Sequence, residues 1–284
     1  MGLERFAGKV VWITGASSGI GRALAQAFDQ AGARLILSGR DQAALEATRQ
    51  ECRLPGEVQV VRFDLGLADT IPAQAEAVLA RWGHVDYMVH NAGVALRGRM
   101  VDTPLELDRR VLATNYFGPL ALTKALLPSM LARGSGHFVV VSSLSGKYGV
   151  PQLSAYAASK HALHGAFESL RAEVQAQGVR VTMVVPGIIR TPILERALTG
   201  SGAQYGKTPP EYARGMDPDV CAMRILRAVA RDKEEVLVGK SEIFTVYLKR
   251  FAPNLLSAIV RSHPVRWQRS LRRWFSFGRT SGTA

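Results

Sequence analysis

Cysteine is scarce in this chain. Only Cys52 and Cys221 occur, far apart and outside any paired spacing, which argues against a disulfide framework and against a cysteine-based zinc site. Both are expected to stay reduced in a cytoplasmic setting. Long hydrophobic runs are missing too. No uninterrupted apolar stretch reaches the ~18 residues that would span a bilayer. Glu4 and Lys9 interrupt the first residues just as a core strand begins, so no secretory signal is expected. Acidic residues are the third shortage, with 23 Asp and Glu against 36 Lys and Arg, for a formal charge of +13. That excess is local. Residues 240–284 carry nine basic side chains and one acid, Glu242, a balance of +8 that leaves +5 for the body (13 − 8). The basicity therefore belongs to a tail rather than to the whole surface.

What remains is an ordinary globular composition, 47% hydrophobic and 21% charged. The 284 residues accommodate one large domain or two small ones. Residues 9–13, 34–38, 58–63, 86–89, 137–142 and 180–185 are short, β-branched and almost continuously apolar, as strands buried on both faces should be. Helical patterns lie between them, including 21–30, 41–51 and 154–176. This alternation predicts right-handed βαβ units: an α/β, doubly wound (Rossmann) parallel sheet of about seven strands with helices on both faces. The stretch 192–216, with Gly200, Gly202, Gly206 and a Pro209-Pro210 pair among its residues, is expected to be irregular and to act as a lid. Asp217-Pro218 then reads as an N-cap with proline at the first helical position.

The first strand runs into Thr14-Gly15-Ala16-Ser17-Ser18-Gly19-Ile20-Gly21, followed by an alanine-rich helix. Glycines there let the backbone turn sharply and approach a pyrophosphate, and the helix N-terminus offers free N–H groups. The spacing is GxxxGxG rather than GxGxxG. The second strand ends Ser38-Gly39-Arg40. Gly39 stands where an acid would bind the adenosine ribose hydroxyls, and a guanidinium beside it suits a 2′-phosphate, so NADP(H) is favoured over NAD(H). Asp41 reads as the N-cap of the next helix.

Tyr156 and Lys160 lie four apart on a helical stretch and so share a face. Carbonyl reduction needs a proton donor at the oxygen, and a neighbouring ammonium lowers a phenol toward neutral pH. YxxxK alone is weak evidence, but here it stands with the glycine turn, Asn91-Ala92-Gly93, Asn115 in a helix, and Ser142-Ser143 ending a strand. Together these motifs resemble the short-chain dehydrogenase/reductase family over residues 8–238.

The resemblance implies roles for particular residues. Tyr156 would be the general acid in reduction, Lys160 would lower its pKa and bind the nicotinamide ribose, and Ser143, thirteen residues before Tyr156, would orient the carbonyl. Ser142 would be its structural partner, and Asn115 would hold a water linking Lys160 to solvent. Gly15, Ser17, Ser18, Gly19, Ile20, Gly21 and Arg40 would bind the dinucleotide. Asp64 would accept from the adenine amine with Leu65 beside it, and Asn91 and Gly93 would line the adenine ribose. Pro186-Gly187-Ile188-Ile189-Arg190-Thr191 matches the family's nicotinamide segment, with Ile189 and Thr191 as contacts. No metal is implied. His161 and His164 sit on the Tyr156 helix without a third ligand in view.

Residues 239–284 form a basic amphipathic extension beyond the 1–238 body. Apolar runs at 243–248 and 255–260 precede Arg266, Trp267, Arg269, Leu271, Arg272, Arg273, Trp274 and Phe275, a mixture suited to an anionic membrane surface. A helix packed on the body is the second reading, and nucleic-acid binding ranks last. Residues 245–253 resemble the acyl/alkyl-dihydroxyacetone-phosphate reductase branch of the family. The expectation is thus a cytoplasmic or peripheral-membrane NADPH-dependent enzyme acting on a hydrophobic ketone or its alcohol. Steroids, retinoids and other small carbonyls are alternatives, as is a non-catalytic NADP(H) sensor. A homodimer or homotetramer would be ordinary for the family.

Overall fold

The two faces of the first strand set the architecture. In β1 (Val10–Thr14), Val11 and Ile13 point to one side of the sheet and Val10 and Trp12 to the other, and all are buried. A strand covered on both faces needs helices above and below it. The computed structural model describes residues 2–262 and supplies them. After β1 come α1 (Gly19–Gln30), β2 (Arg34–Gly39), α2 (Gln42–Gln50), β3 (Gln59–Arg62), α3 (Ile71–Trp82), β4 (Tyr87–His90) and a short β5 (Leu96–Arg97). Then follow α4 (Leu105–Leu112), a π-helical turn at Ala113–Phe117, α5 (Gly118–Ala132), β6 (Gly136–Val141), α6 (Ser154–Val174) and β7 (Val179–Pro186). The chain continues through β8 (Leu198–Thr199), α7 (Pro210–Ala213), α8 (Pro218–Val229), β9 (Glu235–Val238), α9 (Thr245–Phe251) and α10 (Pro253–Arg261).

Seven strands pair in the order β3-β2-β1-β4-β6-β7-β9, every pair parallel. One core places Leu24 and Phe28 of α1 and Ile225 and Val229 of α8 against Val11, Ile13 and Val184. The other places Val78 of α3, Leu126 of α5 and Phe167 of α6 against Trp12, Phe138 and Met183. Strand order reverses between β1 and β4, so a crevice opens outside their carboxyl ends.

The expected strands all form, with ends displaced by a residue or so. The expected lid differs more. Residues 192–216 are held to the body rather than irregular throughout: β8 pairs with β5 through Leu96↔Leu198, Met216 bridges to Ile189, and α7 adds a short helix. The caps form as expected. Asp41 accepts from Ala44 N and Asp217 from Asp219 N. Of the extension, 241–261 packs on the body, where Leu256 joins Leu144, Tyr148 and Val185 in a small apolar cluster. Arg266 through Phe275, on which the membrane expectation partly rested, lie outside the described residues. Among the described residues, no helix is long and apolar enough to cross a membrane.

Candidate active site

The crevice floor begins at the glycine turn. Gly15 has φ +66°, and a Cβ on Gly21 would fall 2.2 Å from the Gly15 carbonyl oxygen, so α1 can approach the turn only without a side chain there. Ser18 is the N-cap of α1 yet makes no side-chain cap bond, which leaves the N–H groups of the first turn available to an anion. Asn91 supports the turn from β4: its Nδ2 donates to the carbonyls of Thr14 and Gly15 at 2.9 and 3.2 Å. Ser17, Gly19 and Ile20 complete this end of a cavity of about 270 Å³.

Where adenosine is expected, Gly39 ends β2 and Arg40 follows it, beside Asp64 and Leu65 after β3, and all four line the cavity. The Arg40 side chain is 56% exposed and stands 3.9 Å from the Asp64 carboxylate. Asp64 also accepts from Gly66 N at 2.8 Å, which fixes its carboxylate at the crevice edge.

Two elements converge at the far end of the cavity. β6 delivers Ser142 and Ser143, and α6 delivers Tyr156 and Lys160. Ser142 is buried and donates to the Lys160 carbonyl at 3.3 Å, tying the end of β6 to α6. Lys160 is 3% exposed, its Nζ donates to the Val141 carbonyl at 2.8 Å, and it lies 5.8 Å from the Tyr156 ring centroid. Burial pushes the Lys160 ammonium down to about 8. Tyr156 behaves differently from the expectation of a lowered phenol. Burial raises it, while a hydrogen bond with Ser143 pulls in the opposite direction. In this arrangement burial favours the neutral phenol of Tyr156, with Ser143 as its immediate polar neighbour.

Asn115 lies in the π-helical turn, an i→i+5 irregularity that often marks functional sites. Its side chain grips the backbone of Val94, accepting from the N–H at 2.8 Å and donating to the carbonyl at 2.9 Å, and also donates to Ser159 Oγ. It thereby fixes the loop after β4. A Cβ on Gly93 would sit 3.3 Å from Asn115 Oδ1 and 3.5 Å from Lys160 Nζ, so that glycine keeps the three close.

The segment 186–191, expected to meet the nicotinamide, closes the other wall. Pro186 pairs with Val238 at the end of β7, and Gly187, Ile189 and Thr191 line the same cavity as Tyr156. Thr191 reaches back over the glycine turn: its Cγ2 would be 3.0 Å from a Cβ on Gly19. The structure therefore brings every expected site residue to one crevice except Ile188 and Arg190, which flank it, and Asn115 and Gly21, which support it from behind.

Several neighbours carried no sequence signal. Arg196 Nη1 donates to Ser18 Oγ at 3.0 Å, and Arg196 and Tyr212 both line the crevice. Glu242 accepts from Ile188 N at 3.0 Å. A second cavity of about 120 Å³ adjoins the first at Ser143, Gly187, Leu194 and Tyr212 and is walled by Tyr148, Val150 and Val260. His164 does meet two carboxylates, Glu168 and Glu235, with ligand atoms within 4.8 Å. Lys147 Nζ already pairs with Glu235 at 2.5 Å, however, so the cluster has its own cation.

The crevice fits a nicotinamide dinucleotide. It offers an anion site at a helix N-terminus, glycines whose Cβ atoms would fill it, and a serine–tyrosine–lysine group at its far end. Comparisons agree. The family description "short chain dehydrogenase" matches residues 9–201. A dehydrogenase/reductase SDR family member 7B of Danio rerio is 44% identical over 262 residues, covering 89% of this chain and 85% of its own. A short chain dehydrogenase/reductase from Burkholderia phymatum, solved with NAD, superposes with TM-score 0.78 at 28% identity, covering 88% of this chain and 95% of that one. A metagenomic short-chain oxidoreductase solved with NADP gives TM-score 0.69 at 32% identity, covering 82% and 97%.

Proposed function

The chain belongs to the short-chain dehydrogenase/reductase family of oxidoreductases, and on that premise we propose that it reduces the ketone of a hydrophobic, lipid-like substrate with NADPH. The observation that carries the reading is the junction of the two cavities. Ser143 lies on both, so a carbonyl held by Ser143 and Tyr156 has the dinucleotide crevice on one side and an apolar chamber on the other.

The chain's own groups divide the work. Ser143 Oγ and the Tyr156 hydroxyl are the two donors that can hold a substrate oxygen, and Tyr156 is the one that gives up its proton. Its raised pKa favours this direction, because a neutral phenol is the form that donates. Lys160 Nζ, fixed on the Val141 carbonyl, carries positive charge beneath the site up to about pH 8. Asn115 holds the Val94 loop so that Gly93 stays against Lys160. The bound dinucleotide would supply the hydride to the carbonyl carbon.

Two features support the finer choices. Gly39 in place of an acid, with Arg40 next to it, favours the 2′-phosphate of NADP(H) over NAD(H). The 120 Å³ chamber is walled by Leu144, Val150, Leu153, Leu194 and Val260, which suits an alkyl or acyl chain near the carbonyl. Val260 comes from α10, which begins at the end of residues 245–253, the stretch whose sequence resembles the acyl/alkyl-dihydroxyacetone-phosphate reductase branch. Delivery from the cytoplasmic face of a membrane follows from the same reading.

The test is an NADPH-consumption screen across ketone classes, namely acyl-dihydroxyacetone phosphate, 3-ketosphinganine, steroids and retinal, with NADH in parallel. Turnover of a long-chain ketone with NADPH preferred is the expected result. Tyr156→Phe should lower that rate by at least about a hundredfold while leaving NADPH binding largely intact. Equal turnover by the Phe variant, or turnover of short polar carbonyls only, would sink the reading.

A further inference from the structure

A carboxylate from the C-terminal extension lies under the wall that would hold the nicotinamide. Glu242 is only 7% exposed, and its Oε1 accepts two backbone N–H groups, from Ile188 at 3.0 Å and from Lys240 at 3.1 Å. Two glycines make room for it. A Cβ on Gly187 would fall 2.3 Å from that oxygen, and one on Gly239 would fall 2.8 Å from it. The backbone of Glu242 is anchored as well: Thr245 Oγ1 donates to its carbonyl at 2.6 Å and meets the Tyr148 hydroxyl at 2.9 Å.

Burying a carboxylate is costly unless its oxygens are hydrogen-bonded, and an apolar side chain could have filled the same space at less cost. What the carboxylate supplies is a charge-assisted grip on one particular peptide N–H. That peptide, Gly187–Ile188, is the first of the turn that leads to Ile189 and Thr191. The turn's other ties are Gly187 N to the Val238 carbonyl and the exchange of Ile188 and Arg190 with Met216, all between backbone atoms, together with an exposed Arg190–Asp217 ion pair at its far end.

We infer that Glu242 is a positioning residue for the nicotinamide-binding turn, so that the extension helps to build the cofactor site rather than merely following it. The inference rests on the reading that a nicotinamide dinucleotide occupies this crevice. Glu242 acts on one end of that ligand only, since Arg40 and Asp64 at the adenosine end are not among its partners.

The two ends can be separated with ligands. Binding of NADPH and of 2′,5′-ADP, which lacks the nicotinamide, is measured by calorimetry on the full chain and on Glu242→Ala and Glu242→Gln. Glu242→Ala should bind NADPH about tenfold more weakly, the cost of one charge-assisted bond, while 2′,5′-ADP stays within about twofold. Glu242→Gln keeps an acceptor oxygen without charge and should show a smaller loss of the same kind. If the Ala variant fails to fold, the Gln variant carries the comparison. Equal losses for both ligands would mean general destabilisation and would overturn the inference, as would unchanged NADPH binding. Should the parent chain prefer NADH, the comparison is made with NADH and 5′-ADP. A parent that binds neither dinucleotide would overturn the cofactor reading and this inference with it.

Discussion

Arg196 donates from Nη1 to Ser18 Oγ across 3.0 Å, joining the segment after β7 to the N-cap of the first helix. The Ser18 side chain makes no cap bond to its own helix, so its hydroxyl is spent on the arginine and the first N–H groups of the helix stay free of it. A guanidinium and a helix N-terminus thus face the same stretch of crevice. Both favour a pyrophosphate. Arg196→Ala is expected to weaken dinucleotide binding about five- to tenfold and to reduce its dependence on salt. Dissociation constants across a sodium chloride series check this, and identical constants and salt slopes in variant and parent would refute it.

Local chemistry made most of this site legible in the sequence, and long-range pairing hid the rest. The glycine turn, Asn91, the Ser142-Ser143 pair and Tyr156 with Lys160 each lie at a strand end or on one helix, where residue type and spacing carry the information. Arg196 and Glu242 do not. One pairs with Ser18 and the other with Ile188, and neither partnership leaves a periodic trace. The π-helical turn at Asn115 is a change in hydrogen-bond register, which side-chain pattern does not encode. The same holds for β5 and β8. Two residues each, they exist because Leu96 and Leu198 meet in space, and 192–216 therefore reads from sequence as irregular. Tyr156 shows the limit for electrostatics. Its neighbour at four residues is a lysine as expected, but how deeply the fold buries both groups decides which way the phenol shifts.

Lys160 should set an alkaline limb on reduction. Its ammonium titrates at about 8 in the folded chain against an ordinary 10.5, because burial disfavours the charge. Tyr156 is shifted upward and remains protonated through that range. The expected profile of kcat/KM is level near neutrality and falls above about pH 8 as one proton is lost. The stability consequence has the opposite sign. Between about 8 and 10.5 the unfolded chain holds the extra proton, so folding stability rises with pH across that window, and the penalty is present in full below it. Lys160→Met should therefore be more resistant to denaturant at pH 7 than the parent, with the difference closing toward pH 10.5, and should lose at least about a hundredfold in activity. A parent profile that stays level to pH 10, or a Met variant less stable at pH 7, would contradict this assignment.

The last prediction concerns the outer face of α9 and α10. Their inner residues are committed, with Leu256 packed on Leu144, Tyr148 and Val185 and Thr245 bonded to Tyr148, so removing the chain from Lys240 onward would strip a wall from the body. A test of membrane binding must spare them. Phe251 is 80% exposed and Tyr247 and Leu255 are also exposed, with Lys249 and Arg250 between them, an arrangement that places apolar groups at the headgroup boundary and cations in the headgroups. Val260 of the same α10 lines the chamber beside Ser143, so a bilayer seated on this face would lie near the proposed substrate chamber. Phe251→Asp with Leu255→Asp should reduce co-sedimentation of the full chain with phosphatidylserine-containing vesicles by about tenfold or more, since two apolar contacts are replaced by charges repelled by the surface. NADPH binding should be unaffected, because neither residue lines the crevice. If the parent chain stays in the supernatant, or the double variant sediments equally well, the membrane reading fails. Salt-dependent binding to duplex DNA by the same parent chain would instead favour the polyanion alternative.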